Sequence, residues 1–321
     1  MKYTTDAVYG VSRDVPLNYV TRPAIDEQFV ENLGRDKHIV IFGSSKQGKT
    51  CLRKHCLNND DYIVVQCSNN WSVGELHSNI LKRAGFQVIQ SEKKTSEGSN
   101  KIKAGLKASA FGFGAEVGGE QNNKATTEVE LHSLELDPSD PNDIIAALES
   151  ISFSKYIVLE DFHYLPNLTQ IGFSVGLKAF HEASKFTFIL IGVWLDENRL
   201  IVYNGDLSGR IVSIDADNWA EHELKLVINA GAKLLNVEFT ASFITELVIR
   251  CQGSVYIVQE ACRLACANRK VSSTCDILTS VGDGLDVPTL TKGNRGSTKR
   301  TLLYVHISFF WRISGHYSPD V

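Results

Sequence analysis

The seven cysteines of this 321-residue sequence include no CxxC pair, and no histidines stand at zinc-binding spacing, so no zinc module is encoded. Seven is odd, which leaves no complete disulfide framework and points to a reducing, cytoplasmic compartment. Cys262 and Cys266, which would share one helix face, read as small buried apolar residues. No apolar run approaches the roughly 18 residues of a membrane-spanning helix, and the opening "MKYTTDAVYG" has no apolar signal-peptide core. A surplus of basic residues is also missing. The 33 Lys and Arg against 37 Asp and Glu leave a net charge of −4, so contact with nucleic acid would have to come from a local patch. The rest is ordinary: 43% hydrophobic and 22% charged residues, on a chain long enough for one large domain or two modest ones.

What is present is concentrated in "HIVIFGSSKQGKTCLRKHCL", His38 to Leu57. Four apolar residues, Ile39 to Phe42, run into Gly43-Ser44-Ser45-Lys46-Gln47-Gly48-Lys49-Thr50, and a basic, helix-competent segment follows from Cys51. The octapeptide matches GxxxxGK[ST] at every fixed position, in the strand, loop and helix order that the motif requires. Gly43 lets the chain leave the strand through a turn, and Gly48 lets the backbone approach a phosphate that a Cβ would hold away. The loop N–H groups then face an anion, and the helix start adds unpaired donors and the positive end of its dipole. Gly43 to Cys51 are therefore the predicted nucleotide contacts. Lys49 is expected to reach the β- and γ-phosphates, and Thr50 to offer its hydroxyl to Mg²⁺.

Residues 1–37 read as an irregular segment and then an amphipathic helix with Ile25, Phe29 and Leu33 on one face. Beyond the loop, "DYIVVQCS" (61–68) reads as a second buried strand. "SVGELHSNILKRAGF" (72–86) reads as a helix with Leu76, Ile80 and Leu81 inward and Gly85 near its C-cap. Such alternation predicts a parallel sheet. Residues 91–130, dominated by Gly, Ser, Lys and Glu, read as a partly disordered surface insertion with room for a hairpin around Ala108–Val117. Its basic stretch, Lys93 to Lys107, is either a solvated loop or a nucleic-acid contact. Order returns where Asp140 or Asn142 can cap a helix through Leu148.

"KYIVLEDFHYL" (155–165) is an apolar strand ending in two adjacent carboxylates, Glu160 and Asp161. A nucleotide hydrolase needs one such group for the Mg²⁺ shell and one to orient or deprotonate water. By position Glu160 takes the metal role and Asp161 the base role. The common order is Asp before Glu, so the division stays open and both are candidate metal ligands with Thr50. "FTFILIGVW" (186–194) fits a central strand, and its end carries Gly192, Val193 and Trp194 where a polar γ-phosphate sensor would stand. Asp196, Asn198 and Arg199 are the nearby alternatives. Arg210, just before a short strand, is a candidate catalytic residue: either a finger for a neighbouring subunit's γ-phosphate or a surface salt bridge. From Ala220 to about Lys270 the pattern is all helix, with Leu224, Val227 and Ile228 inward, Thr240 as a cap and Gly253 as a stop.

With "GSSKQGKT", "YIVLED", the "SGRIVSID…W…EL" passage and the helical module in this order, residues 20–270 resemble the AAA+/STAND class of P-loop ATPases, especially the origin-recognition and transposition-helper branch. The resemblance implies an α/β P-loop NTPase fold, in which a parallel β-sheet flanked by helices precedes a small helical lid. It also implies ATP binding, Mg²⁺-dependent hydrolysis, a nucleotide cycle used as a switch or assembly signal, and a role for "NYVTRPAID" (18–26) in holding adenine. The chain departs from the family twice: the polar sensor is missing, and the lid helix reads Gly253-Ser254-Val255-Tyr256 where an arginine often touches the γ-phosphate. Expected divisions are an N-terminal segment (1–37), an ATPase core (38–215) with its insertion (91–130), a lid (216–275) and a tail (276–321) that begins as a linker. The leading expectation is an ATPase switch, with self-association into a homo-oligomer. The alternative is a nucleotide-gated binding module for DNA or a protein partner, with little turnover. An NKxD segment is absent, which removes any visible basis for guanine selectivity.

Overall fold

The computed structural model describes residues 1–11, 14–94, 100–106, 134–194, 196–217, 219–288 and 290–291. A short helix α1 (Thr5–Tyr9), capped by Thr4, opens the chain. Helix α2 (Pro23–Leu33) starts on a proline and buries Phe29, with Ile25 and Leu33 packed beside it as the periodicity predicts. Strand β1 (His38–Phe42) leads through the glycine loop into α3 (Lys49–Cys56). Strand β2 (Tyr62–Gln66) is followed by α4 (Val73–Ala84), whose Ser72–Glu75 capping box and left-handed Gly85 set both ends. Strands β3 (Phe86–Lys94), β4 (Asn100–Leu106) and β5 (Leu134–Leu136) precede α5 (Pro141–Ser150), which Asp140 caps. Then come β6 (Tyr156–Glu160), α6 (Asn167–Ala183), β7 (Phe188–Ile191), α7 (Arg199–Tyr203) and β8 (Ile211–Asp215). The chain continues through α8 (Glu221–Leu235), β9 (Val237–Phe239), α9 (Ala241–Cys251), α10 (Val255–Asn268) and β10 (Thr279–Val281).

Five strands form one parallel sheet in the order β2-β6-β7-β1-β8. All carboxyl ends lie along one edge, so the loop after β1 and the acids after β6 face the same crevice with only β7 between them. Helices α2 and α3 cover one face and α4, α5 and α6 the other, which is why β1, β6 and β7 read as unbroken apolar runs. Strand β2 is an edge strand, contrary to its reading as fully buried: Tyr62, Ile63 and Val64 are only half-buried.

Four sequence expectations are corrected here. Within the 91–130 insertion, residues 91–94 and 100–106 are strand: β3, β4 and β5 make an antiparallel sheet that turns Phe86, Ile102, Ala104 and Leu136 into the core. The alternation behind it was hidden by the intervening lysines and glutamates. The hairpin expected at Ala108–Val117 lies outside the described residues, as does the end of the basic stretch at Lys107. The 220–270 region is not all helix, because β9 separates α8 from α9 and pairs in parallel with β10. Within the tail expected from 276, Thr279–Val281 supply that strand, and Val287 and Thr291, in the stretch read as linker (282–300), are buried; residues from 292 onward lie outside the described residues. Finally, α1 packs into the helical module and not into the sheet, with Val8 and Tyr9 fully buried and the Tyr9 hydroxyl donating to the Ile228 carbonyl at 2.6 Å. All seven cysteines are free thiols, and among the described residues no helix is long and apolar enough to cross a membrane.

Two buried histidines tie stability to pH. His38 accepts the Phe188 N–H at Nδ1 (3.2 Å), so Nε2 carries the proton and donates to the Leu177 carbonyl (3.2 Å). His77 donates from Nδ1 to the Pro138 carbonyl (2.8 Å), and its other ring nitrogen has no partner. Burial pushes both pKa values down to about 4. The unfolded chain, with histidines near pKa 6.5, binds more protons between pH 4 and 6.5, so stability falls as pH drops through that window. A loss of about 2 kcal/mol per ring is expected from pH 7 to pH 5. Denaturant titrations at the two pH values check this, and equal midpoints would refute it.

Candidate functional site

The loop after β1 is shaped by three left-handed residues, Gly43 (φ 129°), Lys46 (φ 64°) and Gly48 (φ 90°). A Cβ on Gly43 would come within 2.9 Å of Asp217 Oδ1, and that closeness has a purpose. Asp217 follows β8, the neighbour of β1, and its carboxylate accepts from the Ser44 N–H (2.7 Å) and the Ser44 hydroxyl (2.8 Å), bracing the start of the loop. The far side is braced by Trp219, whose Nε1 donates to the Gln47 carbonyl at 3.3 Å while Arg22 lies 4.1 Å over its ring. Sequence reading gave no site role to Asp217 or to Trp219, although Trp219 is the W of the "SGRIVSID…W…EL" passage. The signal for Asp217 was an acidic strand end whose pairing with β1 is visible only in the sheet.

Lys49 is buried, and its Nζ donates to the carbonyls of Gly43 (3.0 Å) and Ser44 (2.5 Å). Burial lowers its pKa to about 8, against the pull of Asp217, Asp161 and Glu160. The Thr50 hydroxyl donates to Glu160 Oε2 at 3.2 Å, and Glu160 Oε1 accepts from Arg53 Nε at 3.0 Å in an ion pair buried on both sides. Burial raises the Glu160 pKa, and the Arg53 charge opposes that rise. Asp161 stands in the left-handed region (φ 54°), which turns its carboxylate off the strand toward Gln66 Nε2, whose hydrogen bond it accepts. Gln66 ends β2 directly opposite Glu160, a register that no spacing in the chain announces.

Gly48, Lys49, Thr50, Glu160 and Asp161 border a cleft of about 250 Å³ that also takes in Ser45, Lys46, Gln47 and Cys51, whereas Gly43 and Ser44, expected to contact nucleotide, do not line it. Burial raises the Cys51 thiol pKa. The opposite wall comes from Asn18, Tyr19 and Val20, within the stretch expected to hold adenine, and from Tyr256 and Gln259 of α10. Asn18 and Gln259 exchange two 2.9 Å amide hydrogen bonds, joining the N-terminal segment to the lid. Tyr19 stacks on His55 with ring centroids 4.2 Å apart and donates to Asp26 at 2.7 Å.

Other expected pieces lie elsewhere. Arg210 stands at the start of β8, the end remote from the loop, paired with Glu182 at 2.7 Å and bonded to the Asp206 carbonyl. The fold does not bring it to this chain's own cleft. At the end of β7, a Cβ on Gly192 would lie 1.6 Å from the Trp194 ring, so that ring occupies the space a side chain at 192 would need. Asp196, Asn198 and Arg199 do not border the cleft. A polar side chain does reach the end of β7, from the turn after the acids: His163 Nδ1 accepts the Val193 N–H at 3.2 Å.

No protein-family model matches the chain, and no curated protein matches it in sequence. Solved structures do match in fold. A Walker-type ATPase of Pyrococcus abyssi superposes with a TM-score of 0.58 at 12% identity, over 95% of this chain and 80% of that one. Looser superpositions are found with Cdc6p of Pyrobaculum aerophilum (TM-score 0.46, 11% identity, 83% and 66% of the two chains) and with a RuvB variant of Thermotoga maritima (0.43, 13%, 81% and 66%). The chain thus has the fold of a Walker-type ATPase.

Proposed function

We propose that this chain is a Mg²⁺-dependent ATPase of the AAA+/STAND kind, whose nucleotide cycle serves as a conformational or assembly switch. The observation that carries the reading is convergence: Lys49 and Thr50, at the start of α3 after the β1 loop, meet Glu160 and Asp161 from the end of β6 in one cleft. Thr50 and Glu160 would hold Mg²⁺, which when bound neutralises phosphate charge. Asp161 then orients the attacking water and accepts its proton. The water oxygen bonds to the γ-phosphorus as the bond to the bridging oxygen breaks, leaving ADP and phosphate. Asp161→Asn is expected to bind ATP like wild type and to hydrolyse it about 100-fold more slowly or worse. Binding and turnover measured side by side decide it; a wild-type chain that does not bind Mg·ATP, or an equally active variant, would sink the reading.

The filled end of β7 favours a second reading, a nucleotide-gated binding module for DNA or a protein with little turnover. Tight ATP binding without hydrolysis, together with ATP-dependent retention of a partner, selects it. If the chain assembles into a homo-oligomer, Arg210 can serve only a neighbouring copy, and turnover would then rise faster than protein concentration.

A further inference from the structure

The last helix of the lid, α10, begins without a cap of its own, since Ser254 in the N-cap position makes no side-chain bond to it. The cap comes from the phosphate loop. Gln47 Oε1 accepts the Val255 N–H at 3.3 Å, so one of the unpaired donors of α10 is satisfied by a buried side chain from across the cleft. One residue earlier, Lys46 Nζ lies 4.0 Å from the centroid of the Tyr256 ring. Two consecutive loop residues therefore hold two consecutive lid residues. The lid residues that border the cleft, Val255, Tyr256 and Gln259, carry no charge, while Glu260 and Arg263 of α10, paired with each other, share a neighbouring pocket with Lys46 and Tyr256.

We propose that Lys46 is a positioning residue that reports the filling of the loop to the lid, by leaving the Tyr256 ring for the polyphosphate of the bound nucleotide. This rests on the ATP reading above. A charge-assisted bond to phosphate is stronger than a cation–π contact, so a bound polyphosphate competes with the Tyr256 ring for the Lys46 ammonium. Gln47 keeps the end of α10 attached in both states, so the freed Tyr256 lets the first turn of α10 shift about that cap. A ligand moves such an equilibrium only through contacts that differ between the states, and the Lys46 ammonium supplies one.

Amide hydrogen exchange in residues 253–262 of the full chain tests this, read without nucleotide, with Mg·ATP and with magnesium tripolyphosphate. In wild type, Mg·ATP is expected to change exchange there several-fold. Lys46→Met, which loses a phosphate contact, should bind ATP more weakly and at saturating Mg·ATP show no response, Lys46→Arg should restore it, and Tyr256→Leu should show the ATP-like exchange with no nucleotide present. A Lys46→Met protein that binds ATP and responds like wild type overturns the inference and leaves the ATP reading standing. A wild-type chain that binds neither probe overturns both. A response to tripolyphosphate without ATP binding keeps the role of Lys46 and removes the ATP reading.

Discussion

Alanine in place of Lys49 is expected to weaken Mg·ATP binding by about 100-fold, and hydrolysis with it. The ammonium is buried at the base of the loop and held by the Gly43 and Ser44 carbonyls, which aim it into the cleft. Charge-assisted hydrogen bonds are worth about 1.5–3 kcal/mol each, and about 1.4 kcal/mol is tenfold in affinity. Folding should survive, because burial already disfavours this charge enough to bring its pKa to about 8. Calorimetric titration and a thermal melt on the same sample separate the two effects. Lys49→Arg is not expected to rescue binding, since a planar fork does not replace a point charge in a space built around one. Affinity within a few-fold of wild type for Lys49→Ala would remove the loop from the mechanism.

The second large effect concerns folding. Glu160→Ala would leave Arg53 buried without its ion-pair partner, and Arg53 Nη1 already has no hydrogen-bond partner. Breaking one side of such a pair costs about 3–5 kcal/mol, whereas replacing both members with apolar residues is often neutral. Glu160→Leu combined with Arg53→Met should therefore regain most of the stability while still failing to turn over ATP. Asp161→Asn, whose side chain meets Gln66 at the surface end of β2, should stay within about 1 kcal/mol of wild type. Denaturant midpoints of the four proteins form the test. A Glu160→Ala protein as stable as wild type would mean that Arg53 is rehydrated, and that the pair does not hold the acid strand to α3.

The same contrast separates what was legible in the chain from what was not. Gly43, Gly48, Lys49 and Thr50 announced themselves because their roles depend on backbone geometry within eight residues. The acids at 160 and 161 were readable because an apolar run ends on them. The hairpin of β3 and β4 was not, because charged residues on its solvent face mask the alternation of Phe86, Ile102 and Ala104. Helix α1 was missed because five residues have no period to read, and its burial depends on α8, α10 and Phe239 of β9.

By itself the sequence determined a strand, an anion-binding loop, a helix, a pair of strand-terminal acids and an amphipathic helical module, since each rests on spacing over one or two turns or on a single strand. Tertiary structure alone decided the rest. It placed β7 between β1 and β6, set Asp217 against Ser44 across 173 positions, and joined Gln47 to Val255 across 208. It also left Arg210 at the far edge of the sheet. The physical reason is common to all of these: strand order and cross-chain hydrogen bonds are set by which buried faces pack together, and local periodicity carries no information about that choice.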